Sequence, residues 1–219
     1  MKYNSFVVFG LGKFGQAVAD KLIESGADVM VVDNDEDIID SYSAKATTAI
    51  EADLTDPAAI KALGISNIDC AVVAMGMSLE ASIMCTMISK ECGVKWVVAK
   101  SSNERMGSVL SKIGADEVIY PEEESGIRTA RGLISSNFLE YFEVSDDICL
   151  IEMLPKEKWV GKSLKELNLR KKYGINVVAI KDGVVNEYVD PDVPLKAKEA
   201  LLMLIHKKNL SKLDKDIVL

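Results

Sequence analysis

Apolar and polar positions along the first 120 residues follow two alternating periods. Short, wholly apolar runs at residues 6–9, 70–75 and 96–99 are typical of strands that are buried on both faces of a parallel sheet. Between such runs, apolar residues recur every three or four positions, as they do in amphipathic helices. This strict strand–helix alternation predicts an α/β domain with a doubly wound parallel sheet, in which ligands bind beyond the carboxyl ends of the strands.

Two of the helix patterns are long enough to predict which face of the helix is apolar and packs against other parts of the protein. Residues 78–92 place a row of apolar side chains, beginning with Leu79, on the predicted inner face. Residues 126–142 form a second amphipathic pattern, directly after the acidic run at residues 122–124. This second helix is open to two interpretations, because its apolar face can pack on its own domain or on a partner subunit.

The pattern changes after residue 142, where strand and turn signals replace the strand–helix alternation. These signals predict a small α+β domain, so the chain divides into residues 1–142 and residues 143–219. In order, they are a strand at residues 148–154, a capping box that opens with Ser163, a hairpin turn at Asp182 and Gly183, and a last strand at residues 201–205.

A glycine motif follows the first predicted strand directly. Gly10 makes the turn, Gly12 lets a pyrophosphate approach the backbone, and Gly15 lets the following helix pack close to the sheet. Asp33 ends the second strand 18 residues beyond Gly15, close to the position of the acid that binds a ribose diol. The motif predicts a nucleotide site on the positive end of a helix. The alternative is a turn that needs glycines for its geometry alone.

Composition narrows the possible partners and the location. The net charge is −8 and no basic run exceeds residues 170–172, which argues against a nucleic-acid surface. No segment approaches the roughly 20 apolar residues needed to cross a bilayer, and the N-terminus does not resemble a signal peptide. We therefore expect a cytoplasmic protein without direct membrane insertion. Four cysteines without a CxxC pair indicate free thiols in a reducing compartment.

Five motifs in order carry a resemblance to a known family. They are Gly10-Leu-Gly-Lys-Phe-Gly15, Asp33, Ile113-Gly-Ala-Asp116, Tyr120-Pro-Glu122, and the segment Val160-Gly-Lys-Ser-Leu-Lys-Glu-Leu-Asn-Leu-Arg170 with Asn176 beyond it. The combination resembles the RCK proteins of bacterial potassium uptake systems, of the KtrA/TrkA type. It covers nearly the whole chain, with a Rossmann-like RCK N-terminal domain followed by a small RCK C-terminal subdomain.

The resemblance implies a regulatory subunit rather than an enzyme. Such proteins form homodimers that assemble into an octameric ring, and the ring docks on a membrane-embedded potassium-translocating subunit at the cytoplasmic face. ATP or ADP, and NAD(H) in some members, shift the shape of the ring and so control potassium flux. This requires a ligand that binds two states of the ring with different affinities.

The resemblance also carries over residue roles. Its nucleotide contacts are Gly10, Gly12, Lys13, Phe14 and Gly15 at the phosphates, Asp33 at the ribose, Asp53 near the adenine and Lys100 at a phosphate. Glu122 matches a carboxylate that helps to hold a divalent or monovalent cation, although a solvated acid in an acidic run is the simpler interpretation. Lys13 stands where relatives usually carry arginine, so the choice between ATP and ADP stays open.

A second ligand is implied for the C-terminal subdomain. Several relatives bind cyclic di-AMP there, and Arg170 and Asn176 match the positions that contact its phosphate and base. The alternative for Arg170 is a cation placed favourably at the end of a helix.

Two other functional classes compete with this interpretation. A small NAD-dependent oxidoreductase shares the glycine motif, but the sequence shows no Tyr-x-x-x-Lys pair, and the single histidine, His206, lies far along the chain at the end of the last predicted strand. A redox-sensing repressor would need a basic helix-turn-helix segment, and none is visible.

Overall fold

The computed structural model describes residues 3–134 and 138–213 and divides the chain into two compact units. The first unit is Met1–Glu122 and the second is Glu123–Leu219. Each unit has its own sheet and its own apolar core, so each is described separately.

The first unit is built on a six-stranded sheet in which every neighbouring pair of strands is parallel. Its strands are β1 (Ser5–Phe9), β2 (Asp28–Asp33), β3 (Thr48–Glu51), β4 (Cys70–Val73), β5 (Trp96–Lys100) and β6 (Glu117–Ile119). Their order is β3-β2-β1-β4-β5-β6. This is the doubly wound order that the strand–helix alternation predicts, and it confirms the predicted fold class.

Helices follow these strands, and most of the helices begin at a side-chain cap. They are α1 (Lys13–Glu24), α2 (Glu36–Tyr42), α3 (Pro57–Ala62), α4 (Leu79–Glu91), α5 (Glu104–Lys112) and α6 (Pro121–Ile134), the last of which continues past the division between the units. Asp56 caps α3 by accepting a hydrogen bond from the backbone of Ala58, and Pro57 occupies the first turn.

Two apolar layers cover the two faces of this sheet. Val7 and Phe9 of β1 belong to one layer, whereas Phe6 and Val8 belong to the other. Successive strand residues point to opposite faces, so a strand covered on both sides must be apolar throughout. The uninterrupted apolar runs in the sequence therefore mark the centre of the sheet correctly.

Helix α4 buries part of the predicted inner face, because Ile88 is buried, but not its first residue. Leu79 is 48% exposed, and the buried side carries Ala81, Cys85 and Ile88 together with the polar Ser82. The hydroxyl of Ser82 is satisfied by the backbone carbonyls of Ser78 at 2.8 Å and Met75 at 3.1 Å. Small side chains allow the helix to approach the sheet closely, and the predicted inner position of Leu79 is wrong.

The second unit is a small α+β structure with a five-stranded antiparallel sheet. Its strands are β7 (Phe138–Glu143), β8 (Ile148–Met153), β9 (Asn176–Asp182), β10 (Val184–Asn186) and β11 (Ala200–His206), in the order β10-β9-β11-β8-β7. Its short helices are α7 (Leu164–Leu167), α8 (Leu169–Tyr173) and α9 (Leu210–Leu213).

Local signals in the second unit are confirmed. Gly183 adopts φ of +73° between the paired strands β9 and β10, as the hairpin requires. Ser163 and Glu166 form the predicted capping box at the start of α7. The exposed His206 ends β11, which agrees with its predicted place at a strand end.

The helix predicted at residues 126–142 is wrong in its second half. Helix α6 ends at Ile134, and Phe138–Glu143 is β7, which pairs with β8; residues 135–137 lie outside the described residues. The segment Phe138-Leu-Glu-Tyr-Phe-Glu143 repeats two apolar residues and one charged residue, a spacing that continues the helical pattern and does not reveal the strand. The predicted domains, residues 1–142 and 143–219, stay a prediction.

Of the four cysteines, Cys70, Cys85 and Cys149 are buried and Cys92 is half-buried. In the described part of the chain, no helix is long and apolar enough to cross a membrane.

Candidate functional site

A cleft of about 650 Å³ lies at the carboxyl edge of the parallel sheet, where β1 and β4 are neighbours. The order of strands reverses between these two, and the loops that follow them turn to opposite faces of the sheet. The lining residues are Gly10, Gly12, Lys13, Phe14, Asp33, Ala74, Met75, Gly76, Met77, Ser78, Lys100, Ser102 and Glu122. Most of the predicted nucleotide contacts therefore meet in one place.

The loop from β1 to α1 depends on close backbone packing. Gly10 adopts φ of +86°, and its N–H donates to the carbonyl of Val32 at 2.8 Å. A Cβ at Gly15 would lie 1.9 Å from the carbonyl oxygen of Gly10 and 3.2 Å from the Cβ of Ala74. Gly15 is buried behind the loop, so its role is to let α1 start directly beside the sheet.

The beginning of α1 differs from the beginnings of α2–α5. Gly12 occupies the N-cap position without a side-chain cap, and the first turn carries no acid. By contrast, α2, α3, α4 and α5 are each capped by a side chain, namely that of Asp35, Asp56, Ser78 and Asn103. The first N–H groups of α1 and its positive dipole end are therefore left for an external anion.

The protein leaves room for that anion beside Gly12. A Cβ built at Gly12 would meet no protein atom within 4 Å, and its φ of −62° is open to any residue. Neither backbone strain nor packing in the protein requires glycine at this position. A pyrophosphate lying against the loop would supply the reason, so the residues present fit a nucleotide.

Asp33 lines the cleft at the end of β2. One carboxylate oxygen accepts from the N–H of Leu11 at 2.5 Å, and the other accepts from the N–H of Asp35 at 3.1 Å. These bonds hold the carboxylate beside the glycine loop. A carboxylate oxygen has a further lone pair, so Asp33 keeps acceptor capacity for ribose hydroxyls.

Lys100 and Glu122 form an ion pair at the other side of the cleft. Lys100 ends β5 and is 9% exposed, and its Nζ donates to Oε1 of Glu122 at 2.5 Å. The same ammonium lies 5.7 Å from the centre of the Phe14 ring. The hydrogen bond from Lys100 lowers the pKa of Glu122 below its ordinary value, so this carboxylate is ionised at neutral pH.

Asp53 does not line this cleft, although the resemblance places it near the adenine. It is exposed, and one of its oxygens accepts from the backbone N–H of Thr55 at 2.8 Å and from the Thr55 hydroxyl at 2.7 Å. The hydroxyl bond is the larger cause of the lowered pKa of Asp53. Its adenine contact stays a prediction.

The metal role of Glu122 also stays a prediction. Within residues 3–134 and 138–213, no three His, Cys, Asp or Glu side chains gather as a metal-binding group.

The sequence analysis missed the loop between β4 and α4, which supplies a wall of the cleft through Ala74, Met75, Gly76, Met77 and Ser78. A signal for it was present. β4 is a central strand in the sequence, and the carboxyl ends of parallel strands meet at one edge of a sheet, so the residues after β4 had to lie beside those after β1.

A second cleft, of about 520 Å³, lies within the second unit. Arg170 and Asn176 both line it, so the structure brings together the two residues that resemblance assigns to a second ligand. The remaining lining residues are Leu164, Lys165, Asn168, Leu169, Ile175, Val177, Val189 and Pro191.

Comparison with known proteins identifies the family. A model of the TrkA-N domain matches residues 6–121, and a model of the TrkA-C domain matches residues 150–217. Ktr system potassium uptake protein C of Bacillus subtilis (strain 168) is 42% identical over 180 residues, which cover 82% of this chain and 81% of the relative. Ktr system potassium uptake protein A of the same organism is 33% identical over 217 residues, covering 99% and 98%. The chain belongs to the KtrA/TrkA family of RCK proteins.

Two solved GsuK structures share the fold. The GsuK RCK domain superposes with a TM-score of 0.66 over 98% of this chain and 48% of that one, at 16% identity. The GsuK channel bound to NAD gives 0.65 over 99% of this chain and 40% of that one, at 15% identity.

Membership of the family assigns the kind of function. KtrA/TrkA proteins are regulatory subunits of potassium uptake systems, and the chain is therefore a regulatory protein in potassium transport with a potassium-translocating membrane partner. This decides against the oxidoreductase interpretation of the glycine motif.

The two glycines of the loop should respond differently to the same substitution. Gly15→Ala places a methyl group against the carbonyl of Gly10, and overpacking of this kind typically costs about 1–3 kcal/mol of unfolding free energy. Gly12→Ala meets no protein atom and should leave the unfolding free energy within about 0.5 kcal/mol of the parent. Urea unfolding of both variants measures the difference, and equal losses would contradict this account of the loop.

Proposed function

We propose that this RCK protein binds an adenine nucleotide in the cleft of its first unit and that the nucleotide controls potassium flux through the membrane partner. The observation that carries the proposal is the uncapped beginning of α1, which lies in one cleft with an acid and a nearly buried lysine. Helix N–H groups and Lys100 suit phosphates, whereas Asp33 suits a ribose diol.

The chemistry of the cleft favours ATP, ADP or NAD(H) over NADPH. A carboxylate accepts hydrogen bonds from a 2′,3′-diol and repels a 2′-phosphate, and Asp33 is fixed beside the glycine loop. The GsuK channel, which shares the fold, has structures bound to NAD and to ADP, and this supports an adenine ligand. Lys13 lines the cleft and is exposed, so it is placed to add a phosphate contact.

A cation at Glu122 is a further part of the proposal. A carboxylate beside phosphates is repelled unless a cation lies between them, and Mg²⁺ commonly joins one or two carboxylates to substrate phosphates. Glu122 lines the same cleft as the glycine loop, which supports this role.

The assembly we propose is a homodimer that builds an octameric ring on the cytoplasmic face of the membrane subunit. Helix α6 supports it, because Ile127 and Leu133 are 45% and 82% exposed on a helix with an amphipathic pattern. Nucleotide then acts by binding two ring geometries with different affinity.

The role of Asp33 predicts selectivity between two dinucleotides. By calorimetry, the parent should bind NADH more tightly than NADPH, and Asp33→Asn should narrow that difference because it removes the charge that repels the 2′-phosphate. Asp37→Asn removes an exposed charge from the first turn of α2 and serves as the control. Equal affinities of the parent for both ligands would rule out this role.

The proposed assembly predicts a mass larger than that of one chain. Light scattering at micromolar concentration should give at least a dimer without ligand, and an octamer with saturating ADP or ATP. A strict monomer under every one of these conditions would reject the ring.

We also propose cyclic di-AMP as a second ligand, held in the cleft of the second unit. The supporting observation is that Arg170 and Asn176 line one cleft, with a guanidinium suited to phosphate and an amide suited to a base edge. Apolar side chains, among them Ile175 and Val189, line the same cleft and can contact the flat face of an adenine.

Arg170→Ala should weaken cyclic di-AMP binding by about tenfold or more, the usual scale for a lost hydrogen bond to a charged group. Lys171→Ala is the matched control, because Lys171 is the next exposed cation on α8 and does not line the cleft. Calorimetry with both variants measures the difference. Parallel losses would mean that only net charge matters.

A further inference from the structure

Lys100 is held in place, whereas its partner Glu122 is not. The side chain of Lys100 is 11% exposed and that of Glu122 is 68% exposed. The Lys100 ammonium lies near the Phe14 ring, and a Cβ at Gly76 would come within 3.1 Å of its nitrogen. The lysine is therefore fixed by packing, and the glutamate reaches it from the first turn of α6.

A ligand phosphate at Lys100 would share this ammonium with Glu122. An ammonium has three N–H donors, and in the structure one of them serves the Glu122 carboxylate at 2.5 Å. A ligand phosphate that reaches Lys100 would place a second negative charge within a few ångströms of that carboxylate. Like charges at such distances destabilise each other unless a cation separates them.

We infer that Glu122 is a built-in competitor of the ligand phosphate for Lys100. Without a divalent cation, the charge of Glu122 opposes a phosphate at the lysine, so the carboxylate lowers nucleotide affinity until it is displaced. With a divalent cation, the displaced carboxylate gains a new partner beside the phosphate, and the same residue stops opposing the ligand. This inference rests on the proposed function and adds its regulation: the ion pair between Glu122 and Lys100 is an autoinhibitory contact of the nucleotide site.

The exchange also has a mechanical consequence in α6. Glu122 is the second residue of this helix, so its bond to Lys100 ties the first turn of α6 to the end of β5. Displacement by phosphate removes that tie. The ligand therefore changes a restraint on the helix without contacting it.

The experiment is calorimetry on the full chain with ADP in EDTA and with ADP in excess Mg²⁺. In EDTA, Glu122→Gln should bind ADP about two- to fivefold more tightly than the parent, the size expected for one partly exposed ion pair. In Mg²⁺ this gain should disappear. Adenosine, which has no phosphate, should bind the variant and the parent equally.

Two further variants distinguish the effect of the Lys100–Glu122 ion pair from the effect of a change in net surface charge. Glu123→Gln makes the same charge change one residue along the first turn of α6 and should give no gain in EDTA. Lys100→Gln should weaken ADP binding. In the double variant, Glu122→Gln should no longer tighten ADP binding, because the ammonium for which the carboxylate and the phosphate compete is absent. Circular dichroism of Lys100→Gln checks that it is folded, and the Glu122→Gln and Glu123→Gln comparison stands without it.

The results distinguish a failure of this inference from a failure of the proposed function. If the parent binds ADP and Glu122→Gln in EDTA binds it equally or more weakly, the competitor role is wrong while the nucleotide site stands. An equal gain from Glu123→Gln, or a gain of the same size in Mg²⁺, also overturns it. If the parent binds none of ADP, ATP, NADH and NAD, with or without Mg²⁺, the proposed function is wrong, and this inference is wrong with it.

Discussion

The contact between Gly15 and the carbonyl of Gly10 is the constraint on which the first unit depends. With no Cβ at Gly15, the first turn of α1 lies directly against the end of β1, where any side chain would collide with backbone. This closeness brings the start of the helix to the strand-order reversal between β1 and β4. It also brings the N–H groups of α1 to the edge where Asp33 and Lys100 end their strands. The position of the cleft therefore depends on a backbone contact between Gly15 and Gly10, in which no polar side chain takes part.

Charges in the cleft are arranged so that a ligand has one favoured direction. Asp33 lies at the end of β2, whereas Lys100 lies at the end of β5, on the other side of β1 and β4 in the sheet. A molecule with hydroxyls at one end and phosphates at the other matches this polarity, and the reverse orientation would set phosphate against carboxylate. The same order of strands that defines the fold therefore also defines the polarity that the proposed nucleotide would meet.

Much of this arrangement can be predicted from the sequence because it depends on interactions between residues that are close along the chain. Glycine spacing, the acid after β2, the capping residues and the wholly apolar strands each have a short-range physical cause, and the structure has them where they were predicted.

What could not be predicted depends on tertiary packing. Leu79 is exposed because α4 packs through Ala81, Ser82 and Cys85 instead, and the buried Ser82 hydroxyl is satisfied by backbone carbonyls. Residues 138–143 pair with a neighbouring strand, a long-range choice that helical spacing does not reveal. The partner of Lys100 is likewise a contact between distant parts of the chain.

The uncapped beginning of α1 has a consequence for the lifetime of the protein. The first turn of this helix has backbone donors that neither a side-chain cap nor an acid completes, so ligand-free folded chains carry a weak point at the centre of the first unit. An anion that completes the turn binds the folded state and not the unfolded chain, which shifts the balance toward folded molecules. Local opening at the loop then becomes rarer, and with it cleavage by proteases that need an opened backbone. Under the proposed function, the abundance of such a subunit in a cell therefore follows the supply of its ligand, independently of any effect on ion flow.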